Sequence, residues 1–206
     1  MPPFAPALDD LAPPSVAVRL TAQLATRTRI LDAVEGIVQA RGVPALTLEA
    51  VARDAGMSKG GLLYHFASKE ALLVGVMRRL ADFVEQEMAG FLAAHPPGPH
   101  RVARAYVNWM LDCPVLAAED RFNRLSAVFL AAHHHDPTLL EPVRSVMRRQ
   151  KAALLADGTP PGAVITIMAA GDGLFMAHLF GTWTITDAER DALRDSLLGL
   201  LGEETP

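Results

Sequence analysis

Apolar positions recur every three or four residues through most of this chain, the spacing of helices that bury one face. Ile30, Ala33, Val34, Ile37 and Val38 mark a first helix over about 26–41, stopped by Gly42, with Arg27 and Arg29 on its polar side. Three short signals follow in tight succession. Thr47 caps a helix carrying Leu48, Val51 and Ala52 that Gly56 ends; Ser58 caps one that includes Leu62 and reaches Phe66; Ser68 caps a long one running to Ala94. The long helix carries Leu72, Leu73, Val76, Met77, Leu80, Phe83, Val84, Met88, Phe91 and Leu92, stops at Pro96-Pro97-Gly98-Pro99, and spans roughly 40 Å. Beyond it, helices are expected at about 100–111, 116–133, 138–156, 161–183 and 187–201, with Pro114, Pro137, Pro160 and Pro161 between them and a Thr186–Glu189 capping box opening the last. No stretch alternates as a strand does, so an all-α fold is expected. Residues 1–25, rich in Pro and Ala, read as a loose arm that can turn helical from Ser15 onward.

Composition agrees: half of the 206 residues are hydrophobic, 20% are charged and 6% aromatic, which is globular and thin in aromatics for a β-sandwich. A single cysteine, Cys113, excludes an intramolecular disulfide and a cysteine-based zinc site of its own. The N-terminus has no basic stretch followed by an apolar one, since Met1 to Leu11 holds three prolines with Asp9 and Asp10; a cytoplasmic location is expected. Charge is unevenly placed. Residues 1–79 hold nine Lys and Arg against seven Asp and Glu, and residues 80–206 hold ten against sixteen. A mildly basic head on an acidic body suits a polyanionic partner at the head.

The densest constellation is Thr47 to Phe66, T-L-E-A-V-A-R-D-A-G-M-S-K-G-G-L-L-Y-H-F. Two short helices crossing steeply need small residues at their contact, a glycine at the reversal and apolar residues pinning the second to the first. Ala52, Gly56, and Val51 with Met57 and Leu62 meet those needs in order, which predicts a helix-turn-helix. Such a unit lays its second helix in the DNA major groove. Gly60 and Gly61 inside that helix each cost about 1 kcal/mol relative to alanine. Close approach of a DNA backbone would offset this, leaving room for Lys59, Tyr64 and His65 to reach phosphates or base edges; a tight turn between helices is the plainer reading of the same glycines.

The run from Thr28 to about Glu85, above all G-M-S-K-G-G-L-L-Y-H-F-A-S-K-E-A-L-L, closely resembles the DNA-binding domain of TetR-family transcriptional regulators. The resemblance implies that Thr47 caps a helix near a phosphate, that Ser58, Lys59, Gly60 and Gly61 open the recognition helix, that Tyr64 and His65 face DNA, and that Lys69 contacts phosphate. Leu63 stands where the family commonly has tyrosine, so Tyr64 would reach the backbone from an adjacent angle, and Leu63 would meet a thymine methyl or sit against the first helix. Domains are expected at 26–70 for DNA binding and 71–206 for a helical ligand-binding and dimerisation body. The implied protein is a homodimer on a palindromic double-stranded operator, a repressor released by a small-molecule effector that moves the long helix. A helical interaction protein without DNA binding, or an enzyme, is the alternative; no nucleophile, base and orienter set supports an enzyme.

In the body, Ala169, Gly173, Ala177 and Gly181 recur every four residues, a small-residue stripe that permits close helix approach, and Leu193, Leu197, Leu200 and Leu201 follow on the last helix; together they are the expected dimer seam. Trp109, Met110, Phe122, Phe129, Met147, Met168, Phe175 and His178 are the expected pocket lining, Met and aromatics suiting an adaptable apolar site. Ala163 to Trp183 is long enough to span a bilayer, but Asp172 near its centre argues for a buried helix instead. Consecutive His133, His134 and His135 with Asp136 diverge around a helix rather than converging on one ion, so neither metal nor cofactor is expected, and Cys113 lacks the basic neighbour of a reactive thiolate.

Overall fold

A computed structural model describes residues 16–112, 128–130 and 132–202, with side chains from residue 21 onward. The helices are α1 (Val16–Arg41), α2 (Leu48–Asp54), α3 (Lys59–His65), α4 (Lys69–Ala94), α5 (Arg101–Asp112), α6 (Glu141–Ala156), α7 (Pro161–Phe180) and α8 (Asp187–Gly199). Residues 128–130 and 132–135 are also helical, and short 3-10 turns lie at Val43–Ala45 and Pro137–Leu140. No strand occurs among the described residues. α1 begins ten residues before the periodic part of its sequence. Residues 21–25 are exposed and carry no apolar period to read. Most of the expected 116–133 helix lies outside the described residues.

Helix ends follow local chemistry. Thr47, Ser58 and Ser68 each accept a hydrogen bond from the N–H three residues on, at 3.1 Å in all three cases. Gly56, at φ 65°, closes α2: its N–H donates to the Arg53 carbonyl while the Met57 N–H reaches back to Ala52 at 2.9 Å. Gly181, at φ 60°, ends α7 in the same way, with Thr182 N–H donating to the Ala177 carbonyl. This stop shortens the expected 161–183 helix to Phe180. The Thr186–Glu189 capping box opens α8.

Two apolar cores share one helix. The first gathers Ile30, Val34 and Ile37 of α1, Val51 of α2, Leu62 and Phe66, and Leu72, Leu73, Val76 and Met77 of α4, and continues into Val128, Ala132, Leu139 and Leu140. The second joins Met88 of α4 to Ala103, Tyr106, Val107 and Met110 of α5, Leu154 of α6, Val164 and Ile167 of α7, and Leu197 and Leu201. α4 is therefore the rod common to head and body. Arg79 of α4 ties down α1 through Asp32 at 2.6 Å and through an ion pair with the buried Glu35. At the far end, Arg101 donates to the Leu92 and His95 carbonyls at 2.6 and 2.8 Å, satisfying the last turn of α4. Asp157, just past α6, accepts from the Val102 N–H at 2.8 Å and so holds the start of α5.

Phe66 seats the end of α3 on this rod. A Cβ at Gly75 would stand 2.7 Å from the Phe66 ring and 3.0 Å from Leu31, so only glycine admits the ring at that point of α4. Arg27 covers the other side, its guanidinium 4.3 Å from the ring centroid, while donating to the His65 carbonyl at 3.2 Å. Gly75→Ala forces the ring aside in a packed core. It is expected to lower unfolding free energy by about 1–3 kcal/mol in urea titration despite alanine's better helix propensity; an unchanged midpoint would show that the ring moves freely.

Candidate nucleic-acid interface

α3 turns one face inward and one outward. Leu62 is fully buried and Phe66 nearly so, pinning the helix to α1, α2 and α4. On the opposite face Leu63 is 42% exposed and Tyr64 77% exposed, which settles Leu63 on the outer surface and not against α1. The Tyr64 ring stands edge-on to His65 with centroids 5.2 Å apart, so the two form one aromatic projection.

The glycines of α3 differ. A Cβ at Gly61 would meet the Ser58 hydroxyl that caps it, at 3.3 Å, so part of its reason is local. A Cβ at Gly60 would meet nothing within 4 Å. No contact inside the chain calls for glycine there, and its φ is not left-handed. Gly60 thus lies inside α3, not at the turn of Gly56, with open space beside it.

Lys59 and Lys69, at the N-terminal ends of α3 and α4, both have partners within the head. Lys59 Nζ lies 2.6 Å from Glu49 of α2, a pair exposed to water on both sides, and this lysine holds the Glu49 carboxyl below its ordinary range. Such an exposed pair is readily exchanged for a phosphate. Lys69 Nζ donates to the Val43 carbonyl at 2.9 Å, which fixes the ammonium beside the α1–α2 connection and leaves two of its three N–H donors. Thr47 caps α2. Arg27, absent from the residues expected to serve the site, holds the His65 carbonyl and thereby the end of the reading helix; only the tertiary fold brings residues 27 and 65 together.

The residues expected to line a pocket are scattered. Met110 and His178 border a cleft of about 430 Å³ between α5, the end of α7 and the turn into α8, with Leu174, Trp183 and Arg190. Phe129 and Phe175 meet edge-on at 6.0 Å between the 128–135 stretch and α7. Met168 and Trp109 pack against the second core, Met147 is half-buried on α6, and Phe122 and Cys113 lie outside the described residues. The histidine run is exposed; Asp136 caps the 3-10 turn through Thr138 N–H at 2.8 Å, and His135 lies 3.7 Å from Glu70.

The expected seam divides. Ala169 and Gly173 face outward, and a Cβ at Gly173 would meet nothing within 4 Å. Ala177, Leu197 and Leu201 point the other way, buried in their own chain, and Leu193 packs half-buried on that core, while Leu200 is 42% exposed. Gly181 belongs to the helix stop. The four-residue spacing failed after Gly173 because a helix turns by 3.6 residues, so a strict period of four drifts off one face. The outward face of α7 continues instead through Ile165, Met176 and Phe180, to Trp183 beyond its end.

Residues 30–76 match the family described as bacterial regulatory proteins, tetR family, and residues 100–202 match the tetracyclin repressor-like C-terminal domain. The chain belongs to the TetR family. As such it is an all-helical, DNA-binding transcriptional regulator. It is 42% identical over 52 residues, 25% of its length, to the uncharacterized HTH-type transcriptional regulator TtgW of Pseudomonas putida, and spans 39% of that protein. Against the HTH-type transcriptional regulator BetI of Burkholderia mallei it is 29% identical over 157 residues, covering 73% of this chain and 80% of that one. The structure of the multidrug binding protein EbrR complexed with malachite green superposes with a TM-score of 0.62 at 27% identity, over 86% of this chain and 98% of that one.

In a TetR-family head, Gly60 tests the external-partner reading with opposite signs in two assays. Gly60→Ala is expected to raise stability by about 0.5–1 kcal/mol, since the site is open and helical, while weakening DNA binding about tenfold or more. Unaltered affinity, measured by fluorescence anisotropy on a labelled duplex, would remove Gly60 from the interface.

Proposed function

We propose that this TetR-family regulator is a cytoplasmic homodimer that represses transcription from a palindromic operator and lets go when a small molecule binds its body. The observation that carries the reading is α3 itself: anchored by Leu62 and Phe66, bare at Gly60, and presenting Leu63 and Tyr64 outward with the half-buried His65 beside them. Ser58, Lys59, Gly60 and Gly61 meet the backbone, Thr47 and Lys69 flank it, and Leu63 reads a thymine methyl.

Two copies are needed because one recognition helix reads only a half-site; half-sites about 34–36 Å apart match two heads on one face of the duplex. The outer face of α7 supplies the seam. This 20-residue helix has a mean hydropathy of 1.6 over its most apolar stretch, yet 22% of that stretch is buried within the chain. Ile165 at 54%, Phe180 at 61% and Trp183 at 51% exposure stand around the bare Ala169 and Gly173. Membrane insertion would carry Asp172 into lipid, a cost a second α7 avoids. An enzymatic role has no support in the site.

Release follows from α4. A ligand preferred by one arrangement of the second core shifts α4, and α4 carries Phe66 and the reading helix with it. The ligand-bound relative EbrR and the cleft beside Met110 and His178 support an effector site in the body.

The function is tested by titrating the protein onto DNA from upstream of its own gene over a range of salt. Sequence-selective binding that weakens steeply with salt is expected, and Lys69→Ala should bind every sequence less well with a log–log salt slope smaller by about one. Indifference to all duplexes at low salt would refute the reading. For the seam, Gly173→Arg introduces a charge where the single chain has open space, so it should yield folded monomers in sedimentation that no longer hold a palindromic site; a dimer of undiminished affinity would move the seam elsewhere.

A further inference from the structure

Besides the Phe66 ring on Gly75, a second set of contacts joins α4 to the end of α3, and it runs through α1. Arg79 stands one turn beyond Gly75 on α4. Its guanidinium donates to the Thr28 carbonyl at 3.4 Å and to Asp32 at 2.6 Å, and pairs with the buried Glu35. Thr28, Asp32 and Glu35 share one face of α1 by their helical spacing. Arg27 immediately precedes Thr28, and its own guanidinium turns to α3 instead. It donates to the His65 carbonyl at 3.2 Å and lies 4.3 Å from the centroid of the Phe66 ring. Leu31, one turn on from Arg27, meets the same place: a Cβ at Gly75 would lie 3.0 Å from Leu31 and 2.7 Å from Phe66. Of two adjacent residues on α1, one is thus held by α4 and the other holds α3.

α3 is only seven residues long. A helix of that length has little stability of its own, and its last carbonyls find no partner within it, so the contacts at its ends set its direction. Ser58 supplies the first end. At the second, the packing of Phe66 on Gly75 is non-directional, whereas the hydrogen bond from the planar Arg27 guanidinium is directional and charge-assisted.

We propose that Arg79 and Arg27 act in series as positioning residues for DNA reading. Arg79 fixes α1 on the rod, and Arg27, from that fixed α1, sets the angle at which α3 meets base edges. Neither acts by touching DNA. Phosphate contacts carry no sequence information and base-edge contacts do, so this strap serves discrimination between sequences and not attraction to duplex as such.

The test uses the full chain, the duplex from upstream of its own gene that it binds best, and a scrambled duplex of equal length, over a range of salt. Arg27→Met keeps the Phe66 ring covered and removes the donor. Arg79→Met is made together with Glu35→Gln, so that no buried carboxylate is left alone. Each change should weaken binding to the selected duplex about tenfold, with the scrambled duplex and the log–log salt slope unaltered. Each should also speed amide exchange in the last turn of α3, although the polar contacts of Arg79 are on α1. Combining all three substitutions should cost no more than the larger single loss, because the second cut falls on a strap already open. Losses that multiply would make the two arginines independent packing residues and overturn the proposal. So would unaltered α3 exchange in the Arg79 variant. Equal weakening on both duplexes with a slope smaller by about one would make Arg27 a phosphate ligand, and overturn it as well. Should the Arg79 variant fail to fold, Asp32→Asn, at a side chain 63% exposed, weakens the same tie. It must give the same pattern at smaller size, and its failure to do so counts against the strap.

Discussion

The structure depends on a single 26-residue helix belonging to two cores at once. Leu72, Leu73, Val76 and Met77 at one end of α4 are buried with the head, and Met88 at the other is buried with the body. A continuous helix is stiff along its axis because every interior peptide is hydrogen-bonded to the next turn. Neither core can rearrange around α4 without the other registering it. That physical continuity ties the packing of the body to the packing of the head.

Attachment at the head is equally specific. Gly75 lets the Phe66 ring sit directly on α4, and Arg27 closes over the ring and holds the last carbonyl of α3. The seven residues of α3 are thus fixed between the Ser58 cap at one end and the Phe66 anchor at the other. The outward side of α3 takes no part in that packing: it carries an exposed tyrosine, an exposed leucine and a glycine with nothing beside it.

Much of this was legible in the chain because its determinants are local. Caps at Thr47, Ser58, Ser68 and Thr186, and the left-handed Gly56, act within three to five residues, so the helix-turn-helix and the start of α4 stood in the sequence where the structure has them. The resemblance of the Thr28–Glu85 run pointed to the same family as the comparisons. What stayed hidden is tertiary. Phe66 on Gly75 and Arg27 on His65 join residues on different elements, and no spacing records them. The α7 stripe misled for a related reason: Ala177 and Gly173 are equally small, and only burial separates the one facing its own core from the one facing out.

The account's central claim is that α3 is shaped from within for a partner outside. The most direct measurement is a structure of the protein on its operator. The account predicts α3 lying in the major groove with the Gly60 backbone in van der Waals contact with the sugar-phosphate chain, Leu63 against a base edge, and Leu62 and Phe66 unmoved in their core. A complex in which α3 stands clear of the groove, or in which Gly60 faces bulk water, would contradict it.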